Sequence, residues 1–550
     1  MRALCKYKLI YINFTIAIYV GLLLNVPTLW RANNEKLLFD ISDVFAVGIA
    51  MIAITFFLLN ISIFIGRYIY KLIAVFVLLL SVVASYYMTI HKVVIGYGTI
   101  VSTLTLDIDL SKEMISFNGM LWFLLLGGFP ALLIIISKIE GCTNPKGTQQ
   151  FWHYYVFLFL AIISALLLAI VSFKWMEQRH EHYWKKQNIY IGSFSGIITH
   201  SFVPTNWLSG LGLYVYQLWN NEKNSTLVNP AEKYQYSAIT SMDNLRVVFV
   251  LGESTRSDHL GVLGYTRQNT PLLSRENNAL AFKGLSCDTA TKLSMRCMFV
   301  REGAVKNNEI RSLLEQNVFV VLRYLGFSSH VYAMQGEDWF YSSIQSESYM
   351  RREELISHFF DSSNYIDDSL LVLALKERLA KAKSAPELIL LHMKGSHFSY
   401  TQRYPRHFAQ YKPECSGLDN QCDEQSLINA YDNSIRYVDY NLHQIFNALR
   451  NENAIVFFVS DHGESINNGV HFHATPREIA PPEQFQVPFI IWASDKFLAN
   501  QVHKKRFEQL KLAYKRNRIL RHEEIYDSLL SCIGFKSKDG GINRKNDWCS

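Results

Sequence analysis

Hydrophobic and polar positions divide the chain into two parts of different character. Before about residue 175 most positions are apolar and charges are sparse, whereas the later part mixes charges, glycines and turns. Five apolar runs have about the 20 residues that a helix needs to cross the hydrocarbon core of a bilayer. The predicted spans are Leu9 to Trp30, Val44 to Ile65, Leu72 to Ile90, Met120 to Ile136 and Tyr155 to Trp175. Gly127, Gly128 and Pro130 interrupt the fourth span, which predicts a kink there.

Charged residues near the ends of the spans predict their orientation. Basic residues lie before the first span and in the second and fourth connections: Arg2, Lys6, Lys8, Arg67, Lys71, Lys138 and Lys146. Acidic residues are more frequent in the first and third connections: Glu35, Asp40, Asp43, Asp107, Asp109 and Glu113. Cytoplasmic loops carry an excess of lysine and arginine. The amino terminus is therefore predicted inside, and five crossings place everything after Trp175 outside.

A region rich in aromatic residues, 176–243, connects the predicted membrane domain, 1–175, to the soluble part, 244–550. Aromatic side chains interspersed with charges are typical of the membrane interface. One interpretation is a set of helices that rest on the bilayer; the other is a linker that packs between domains. The sequence leaves both open.

Beyond residue 244, short apolar runs alternate with helical patterns, which predicts an α/β domain with a mainly parallel sheet. The predicted strands are Val247 to Val250, His330 to Met334, Glu387 to Leu391, Ala454 to Val459 and Val487 to Ala493. The predicted helices are Arg311 to Tyr324, Ser369 to Lys383, Glu424 to Leu449 and His522 to Cys532.

Three of these strands are followed by side chains that can bind a metal ion: Glu253, His392, His397, Asp461, His462, His471 and His473. Each has an ordinary alternative role, as a helix cap or a hydrogen-bonded loop residue. The carboxyl ends of parallel strands open onto one crevice, however, so the side chains are expected to converge. Carboxylates combined with imidazoles suit zinc better than magnesium, which prefers oxygen ligands.

The stretch CDTATKLSMRC, residues 287–297, supplies a candidate nucleophile. It is rich in hydroxyl groups, and its second half resembles the first turns of a helix. Unpaired backbone N–H groups at a helix amino terminus favour a phosphate or an alkoxide there. Thr289 and Thr291 both fit by spacing. A simple helix cap within a disulfide loop is the alternative.

Six of the eight cysteines lie in the soluble part as close neighbours. The predicted disulfides are Cys287 with Cys297, Cys415 with Cys422, and Cys532 with Cys549. These spacings differ from those of zinc knots, and disulfides suit an oxidising compartment outside the cytoplasm. Cys5 and Cys142 fall on the predicted cytoplasmic side. The net charge of +7 permits an anionic partner such as a lipid headgroup surface without requiring one.

Five motifs together resemble one family: VLGESTRSDHLGVLGY, CDTATKLSMRCMF, LHMKGSH, YDNSIRYVD and SDHGES. They are similar to the phosphoethanolamine transferases of Gram-negative inner membranes, which belong to the alkaline phosphatase and sulfatase superfamily. The resemblance covers nearly the whole chain, with its five membrane helices and a periplasmic domain. Other stretches, including the ending DGGINRKNDWC, resemble in particular the branch that modifies the outer Kdo sugar of Kdo-lipid A.

The resemblance implies roles for individual residues. It implies zinc bound by Glu253, Thr291, Asp461 and His462, with Thr291 rather than Thr289 as the nucleophile. It places His397 and His473 on the phosphate side of the site or at a second zinc ion. The expected substrate-binding residues are Glu113, His392, His397 and His473.

The implied reaction has two steps. Thr291 attacks the phosphorus of phosphatidylethanolamine, diacylglycerol leaves, and the phosphoethanolamine on threonine passes to lipopolysaccharide. His397 or His473 is expected to act as the general acid. The resemblance also implies a multi-pass inner-membrane protein that is a monomer and binds no nucleic acid.

Two departures from the family pattern concern substrate contacts. The stretch QGEDWFYSS, residues 335–343, contains Gln335, Glu337 and Asp338 but no lysine, and Thr105 replaces a usual asparagine. Both agree with an acceptor other than a lipid A phosphate, although a lipid A phosphate or a core heptose remains an alternative. A sulfatase-like hydrolase is disfavoured by threonine at the nucleophile position, and an inactive membrane platform by the complete set of metal ligands.

Overall fold

The computed structural model describes residues 2–34, 40–104, 116–137, 148–186, 194–223, 227–301, 315–360, 366–382, 385–415, 422–466, 472–477 and 480–550. The chain separates into two compact units. The first contains most of the described residues up to Tyr216, and the second contains nearly all of those that follow.

The first unit is helical. Among the described residues, five helical segments are long and apolar enough to cross a membrane: Leu9–Ala32, Ile41–Ile65, Tyr68–Ile90, Phe117–Ile136 and Tyr155–His180. These confirm the five predicted spans. The α-helices that build this part of the chain are Arg2–Gly21, Val26–Asn34, Ile41–Ser62, Arg67–Ile90, Tyr97–Leu104, Phe117–Trp122, Phe129–Ile136, Thr148–Lys186, Phe194–Ser201 and Thr205–Lys223.

The structure adds detail to the fourth and fifth predicted spans. The interruption predicted in the fourth span coincides with a π-helical segment, Phe123–Gly128, followed by Pro130 in the next helix. The helix of the fifth span does not end at Trp175 but continues to Lys186. Within that extension, His180 lies 3.0 Å from the carboxylate of Asp43, and both side chains are buried. This contact gives each of the two buried polar side chains a partner, which lowers the cost of burying them.

The second unit is built around an eight-stranded sheet. In chain order, the described strands of the whole unit are β1 Tyr236–Ala238, β2 Leu245–Gly252, β3 Ala279–Leu285, β4 Ser328–Ala333, β5 Ser348–Met350, β6 Glu387–His392, β7 Asn453–Ser460, β8 Gln486–Ala493, β9 Leu520–Arg521 and β10 Phe535–Ser537. The spatial order is β5-β4-β6-β2-β7-β8-β3-β9, and β1 pairs with β10 separately. Within this sheet, β8 runs antiparallel to both neighbours and the other pairings are parallel. The predicted, mainly parallel α/β domain is confirmed.

Helices cover the sheet and connect its strands. Those in the described part of the unit are Pro230–Lys233, Thr291–Met298, Val318–Tyr324, Asp338–Ile344, Arg352–Phe359, Ser369–Ala380, Glu424–Leu449, Asp495–Ala499, Gln501–Lys515 and Ile525–Cys532. Every residue of β2, β4 and β6 is buried. Such strands lie between two layers of helices, which is why they read as continuous apolar runs in the sequence.

Three disulfides join Cys287 to Cys297, Cys415 to Cys422 and Cys532 to Cys549. The first encloses the segment that carries Thr291, and the third connects helix Ile525–Cys532 to the last residues of the chain. Crosslinks of this kind limit the freedom of the unfolded chain. Cys142 lies outside the described residues.

Candidate active site

The register of two central strands sets the position of the site. Gly252 at the end of β2 pairs with Ser460 at the end of β7, so the next residues, Glu253 and Asp461, leave the sheet side by side. Both carboxylates are fully buried. The N–H of Ser254 donates to Asp461 Oδ1 at 3.2 Å, which joins the two strand ends.

His462 directs one ring nitrogen at three oxygen atoms. Its Nδ1 lies 2.8 Å from the carbonyl oxygen of Gly463, which can only accept, so Nδ1 carries the hydrogen. Its Nε2 is 3.4 Å from Glu253 Oε1, 3.2 Å from Asp461 Oδ2 and 3.3 Å from Thr291 Oγ1. A carbonyl that fixes the tautomer in this way is a common support for a metal-binding histidine.

Thr291 is the first residue of helix Thr291–Met298. Its hydroxyl donates to Glu253 Oε2 at 3.1 Å. Thr289, the other candidate from the sequence, is buried, and its carbonyl oxygen accepts a hydrogen bond from the N–H of Ala474 at 2.7 Å. The structure therefore places the hydroxyl of Thr291 beside the two strand ends.

Two further histidines line the same side. The ring of His473 stacks on that of His462 with centroids 4.2 Å apart, and the ring of His397 lies 5.2 Å from His473. His473 Nδ1 is 3.2 Å from the carboxylate of Glu464, which is fully buried. Three histidine rings thus form a continuous row beside Thr291.

Burial shifts the charge states of this cluster. Burial, and to a smaller extent the neighbouring charge of Asp461, raise the pKa of Glu253 to about 7. Burial likewise raises the pKa of Asp461 to about 7 and lowers that of His462 to about 4. Loss of hydration disfavours the charged form of each group. A row of neutral imidazoles therefore faces two carboxyl groups that hold their protons unusually tightly.

These residues fit a divalent metal ion. Ligand atoms of Glu253, His462 and His473 lie within 4.8 Å of one another, and Asp461 adds a second carboxylate next to His462. When the two carboxyl groups are ionised, their oxygen lone pairs face the lone pair of the unprotonated Nε2 of His462. A bound cation would relieve this arrangement and stabilise both ionised carboxylates.

Comparisons with known proteins agree with this geometry. Residues 246–535 match the Sulfatase family, and residues 51–189 match the family described as phosphoethanolamine transferase EptA/EptB. Two proteins named Kdo(2)-lipid A phosphoethanolamine 7''-transferase, from Salmonella typhimurium and Escherichia coli, are 42% and 43% identical to the chain. Each match covers 100% of this chain and 98% of the relative. The chain belongs to the phosphoethanolamine transferase family.

A solved structure of a membrane protein has the same fold as this chain. The integral membrane protein lipooligosaccharide phosphoethanolamine transferase A from Neisseria meningitidis is 22% identical, with a TM-score of 0.82 over 98% of both chains. The likeness shows the fold, and the five spans together with the match to the EptA/EptB family confirm the predicted location in the inner membrane.

One predicted site residue, His392, is not among the side chains that the structure brings together. His392 is the last residue of β6 and is fully buried, and its Nδ1 is hydrogen-bonded to the hydroxyl of Tyr341. Burial lowers the pKa of His392 to about 3. Glu113 lies outside the described residues of the transferase.

Sequence reasoning assigned no role to two residues that support the cluster. Gln335 donates from Nε2 to Glu253 Oε2 at 2.9 Å and accepts from Lys394 Nζ at 3.3 Å. Glu464 contacts Nδ1 of His473. The spacing of Glu464 in SDHGES, three residues after Asp461, was a usable signal, whereas the contact of Gln335 required the tertiary structure.

The loop that follows β6 passes so close to Glu253 that it requires a glycine at position 395. Gly395 has a φ of +53°, and a Cβ built on it would lie 2.7 Å from the carbonyl oxygen of Glu253. Its N–H and that of Lys394 both donate to the buried carboxylate of Asp368, at 2.8 and 2.7 Å. Since no side chain fits there, glycine lets the loop that carries His397 pass directly over Glu253.

Proposed function

We propose that the transferase moves phosphoethanolamine from phosphatidylethanolamine to the Kdo-lipid A region of lipopolysaccharide, at the outer Kdo sugar. The observation that carries the chemistry is the position of Thr291 Oγ1, 3.1 Å from Glu253 and 3.3 Å from His462 at the open end of the sheet. The acceptor is supported by the names of the two relatives that match the full chain.

In the first step, Oγ1 of Thr291 attacks the phosphorus of phosphatidylethanolamine. A bond forms between Oγ1 and phosphorus, the bond to the glycerol oxygen breaks, and diacylglycerol leaves as the alcohol. A positioned hydroxyl is a good nucleophile only when its proton is removed as it attacks. The amino-terminal position of Thr291 on its helix also favours the charge that develops there.

In the second step, a hydroxyl oxygen of the acceptor attacks the same phosphorus. The bond to Oγ1 breaks, and Thr291 regains its proton. Splitting the transfer in this way lets two large lipids use one site in turn, because phosphoethanolamine stays on the enzyme between them. Phosphoethanolamine is thus carried through a covalent threonine ester.

His397 and His473 are the proposed proton carriers. Burial lowers the pKa of both rings below its ordinary value, so each is neutral at pH 7. A neutral imidazole can receive the proton that Thr291 loses and return it to the glycerol oxygen that leaves. In the second step, it can receive the proton of the acceptor hydroxyl.

The proposed metal is zinc, held by Glu253, Asp461, His462 and the hydroxyl oxygen of Thr291. Mixed carboxylate and imidazole ligands are those that zinc accepts in tetrahedral sites. When bound, zinc would lower the pKa of the threonine hydroxyl and withdraw charge from the phosphoryl oxygens. The role of the protein is to hold its ligands in register at two adjacent strand ends.

Mass spectrometry of lipopolysaccharide fragments from cells with and without the protein tests both acceptor and nucleophile. We expect phosphoethanolamine on the outer Kdo, and its loss in Thr291→Ala by about 1,000-fold or more, as for removal of other nucleophiles. Thr289→Ser, a change to another hydroxyl two residues away, is the matched control and should retain the modification.

Either half of the proposal can fail separately. Modification that persists in a folded, membrane-inserted Thr291→Ala protein would show that Thr291 is not the nucleophile. Phosphoethanolamine on a lipid A phosphate or a core heptose, with Kdo unmodified, would leave the chemistry standing and replace the acceptor.

A further inference from the structure

Two cationic residues follow the nucleophile on the same helix. Lys292 and Arg296 are half-buried and four positions apart in helix Thr291–Met298. Side chains at this spacing lie on one face of a helix. Arg296 is five residues beyond Thr291, which corresponds to about 7.5 Å along the helix axis.

Both cations approach the same aromatic ring. Lys292 Nζ lies 5.8 Å and Arg296 Cζ 5.4 Å from the ring centroid of Trp339. The indole N–H of Trp339 donates to the carboxylate of Glu337, which fixes the ring orientation. Trp339 as a whole keeps 38% of its surface exposed. Two cations over a partly exposed tryptophan therefore lie next to the start of the helix.

The segment that carries Trp339 is tied to the active site. Gln335, four residues earlier, donates to Glu253, whose carboxylate also accepts from Thr291. One short segment thus contacts the reactive cluster through Gln335 and the two cations through Trp339. We call Lys292, Arg296 and Trp339 the cationic face. Glu253, which accepts hydrogen bonds from both Gln335 and Thr291, links this face to the nucleophile.

The chemistry of the face matches a sugar acid. Cationic donors bind carboxylates through charge-assisted hydrogen bonds, and guanidinium can do so with two parallel bonds. An exposed aromatic face gives apolar contact area to a sugar ring. The phosphoryl group on Thr291 would lie at the start of the helix, so a group bound near Arg296 belongs to a neighbouring part of a larger substrate.

We propose that Lys292, Arg296 and Trp339 form a subsite that binds the carboxylate and ring of a Kdo sugar of the acceptor. Kdo is a sugar acid and carries a negative charge at neutral pH, whereas a core heptose without phosphate does not. The inference rests on the proposed function and adds to it the means by which the acceptor is selected. Lys292 and Arg296 act on acceptor binding, and Thr291 acts on the donor.

The test uses the full-length protein in detergent micelles with phosphatidylethanolamine and purified Kdo2-lipid A. Two rates are measured: transfer as a function of acceptor concentration, and release of diacylglycerol in a single turnover without acceptor. We expect Lys292→Gln and Arg296→Gln each to raise the acceptor KM about tenfold, the usual effect of losing one charge-assisted hydrogen bond. Diacylglycerol release should change less than twofold.

Two further variants sharpen the result. Arg296→Lys keeps the charge but loses the paired hydrogen bonds, so its KM should lie between those of the wild type and Arg296→Gln. Lys283→Gln removes the same charge from an exposed position of β3, and it should leave both rates unchanged.

Three outcomes would overturn the subsite. An unchanged acceptor KM in both glutamine variants would show that the cations do not bind the acceptor. Diacylglycerol release that slows as much as transfer would place the cations on the donor phosphate instead. An equal effect of Lys283→Gln would reduce the role to overall charge. By contrast, a wild-type protein that releases diacylglycerol but transfers nothing to Kdo2-lipid A would refute the proposed acceptor.

Discussion

The strands β6 and β7 flank β2, and each brings a histidine to its carboxyl end, but the two histidines have different surroundings. His462, just beyond β7, directs Nε2 at Glu253, Asp461 and Thr291. His392, the last residue of β6, is enclosed in the domain and bonded to Tyr341. In the sequence the two are equivalent: one histidine after one apolar run.

Register accounts for the difference. His392 pairs with Leu251 of β2, two residues before Glu253. Ser460, two residues before His462, pairs with Gly252. His392 is thus still inside the sheet, whereas His462 has passed its edge. The residue of the β6 chain that is level with Glu253 is Lys394, and it contacts the site through Gln335. A shift of two or three residues along a strand separates a buried structural histidine from a candidate ligand.

The largest expected effect is a direct contrast between these histidines. His462→Ala should lower the rate of transfer about 1,000-fold and remove bound zinc, because it deletes a proposed ligand. His392→Gln, which can still accept a hydrogen bond from Tyr341, should lower the rate less than threefold and keep the zinc. Diacylglycerol release and elemental analysis of the purified proteins measure both quantities.

If both variants lost zinc equally, His392 would also have a role at the metal, and the predicted difference between the two histidines would be wrong. Full activity of His462→Ala would remove His462 from the ligand set. Folding of each variant is checked by resistance to proteolysis before the comparison is made.

The second expected effect concerns the dependence of stability on pH. Burial lowers the pKa of His392 to about 3, so the folded protein keeps this ring neutral while the unfolded chain gains a proton below pH 6.5. Its contribution to the free energy of unfolding is present above that pH and is lost as pH falls towards 3. Relative to His392→Gln, the wild type should lose roughly 2–3 kcal/mol between pH 6 and pH 4.

Denaturant unfolding of the full-length protein in detergent at several pH values measures this difference. Parallel curves for wild type and variant would contradict the assignment of His392 as a neutral, buried group. Other groups that titrate in this range affect both proteins equally and cancel in the difference.

The smallest effect concerns the support of the histidine row. Glu464 holds His473 Nδ1 at 3.2 Å. Glu464→Gln should lower the rate of transfer by about 10- to 100-fold, the usual range for residues that orient an active-site histidine. Glu508→Gln, at an exposed carboxylate on helix Gln501–Lys515, is the matched control. An unchanged Glu464→Gln protein would show that His473 needs no support.

Some elements followed directly from the local sequence. Helix Glu424–Leu449 has the predicted ends, because Asp423 caps its first turn by accepting from the N–H of Ser426. The five membrane spans were also predictable, since each depends only on a long apolar run. Strand β7, predicted as Ala454 to Val459, extends by one residue at each end.

Other elements depended on distant partners. Strand β3 and the antiparallel direction of β8 did not follow from the sequence, because pairing between strands leaves no local pattern of direction. The sequence also left Thr289 and Thr291 equivalent by spacing. Only the approach of β2 and β7 to the disulfide loop distinguishes their surroundings.

The sequence by itself determined which residues could do chemistry: the apolar runs placed carboxylates and histidines after strands, and the motifs indicated their family. The tertiary structure decided which of them meet. Thr291 lies 38 residues from Glu253 and 171 from His462, yet one hydroxyl is within 3.3 Å of both. The physical reason is that packing and hydrogen bonding across the whole sheet set the register of each strand. A shift of one residue along a strand moves every side chain to the opposite face of the sheet.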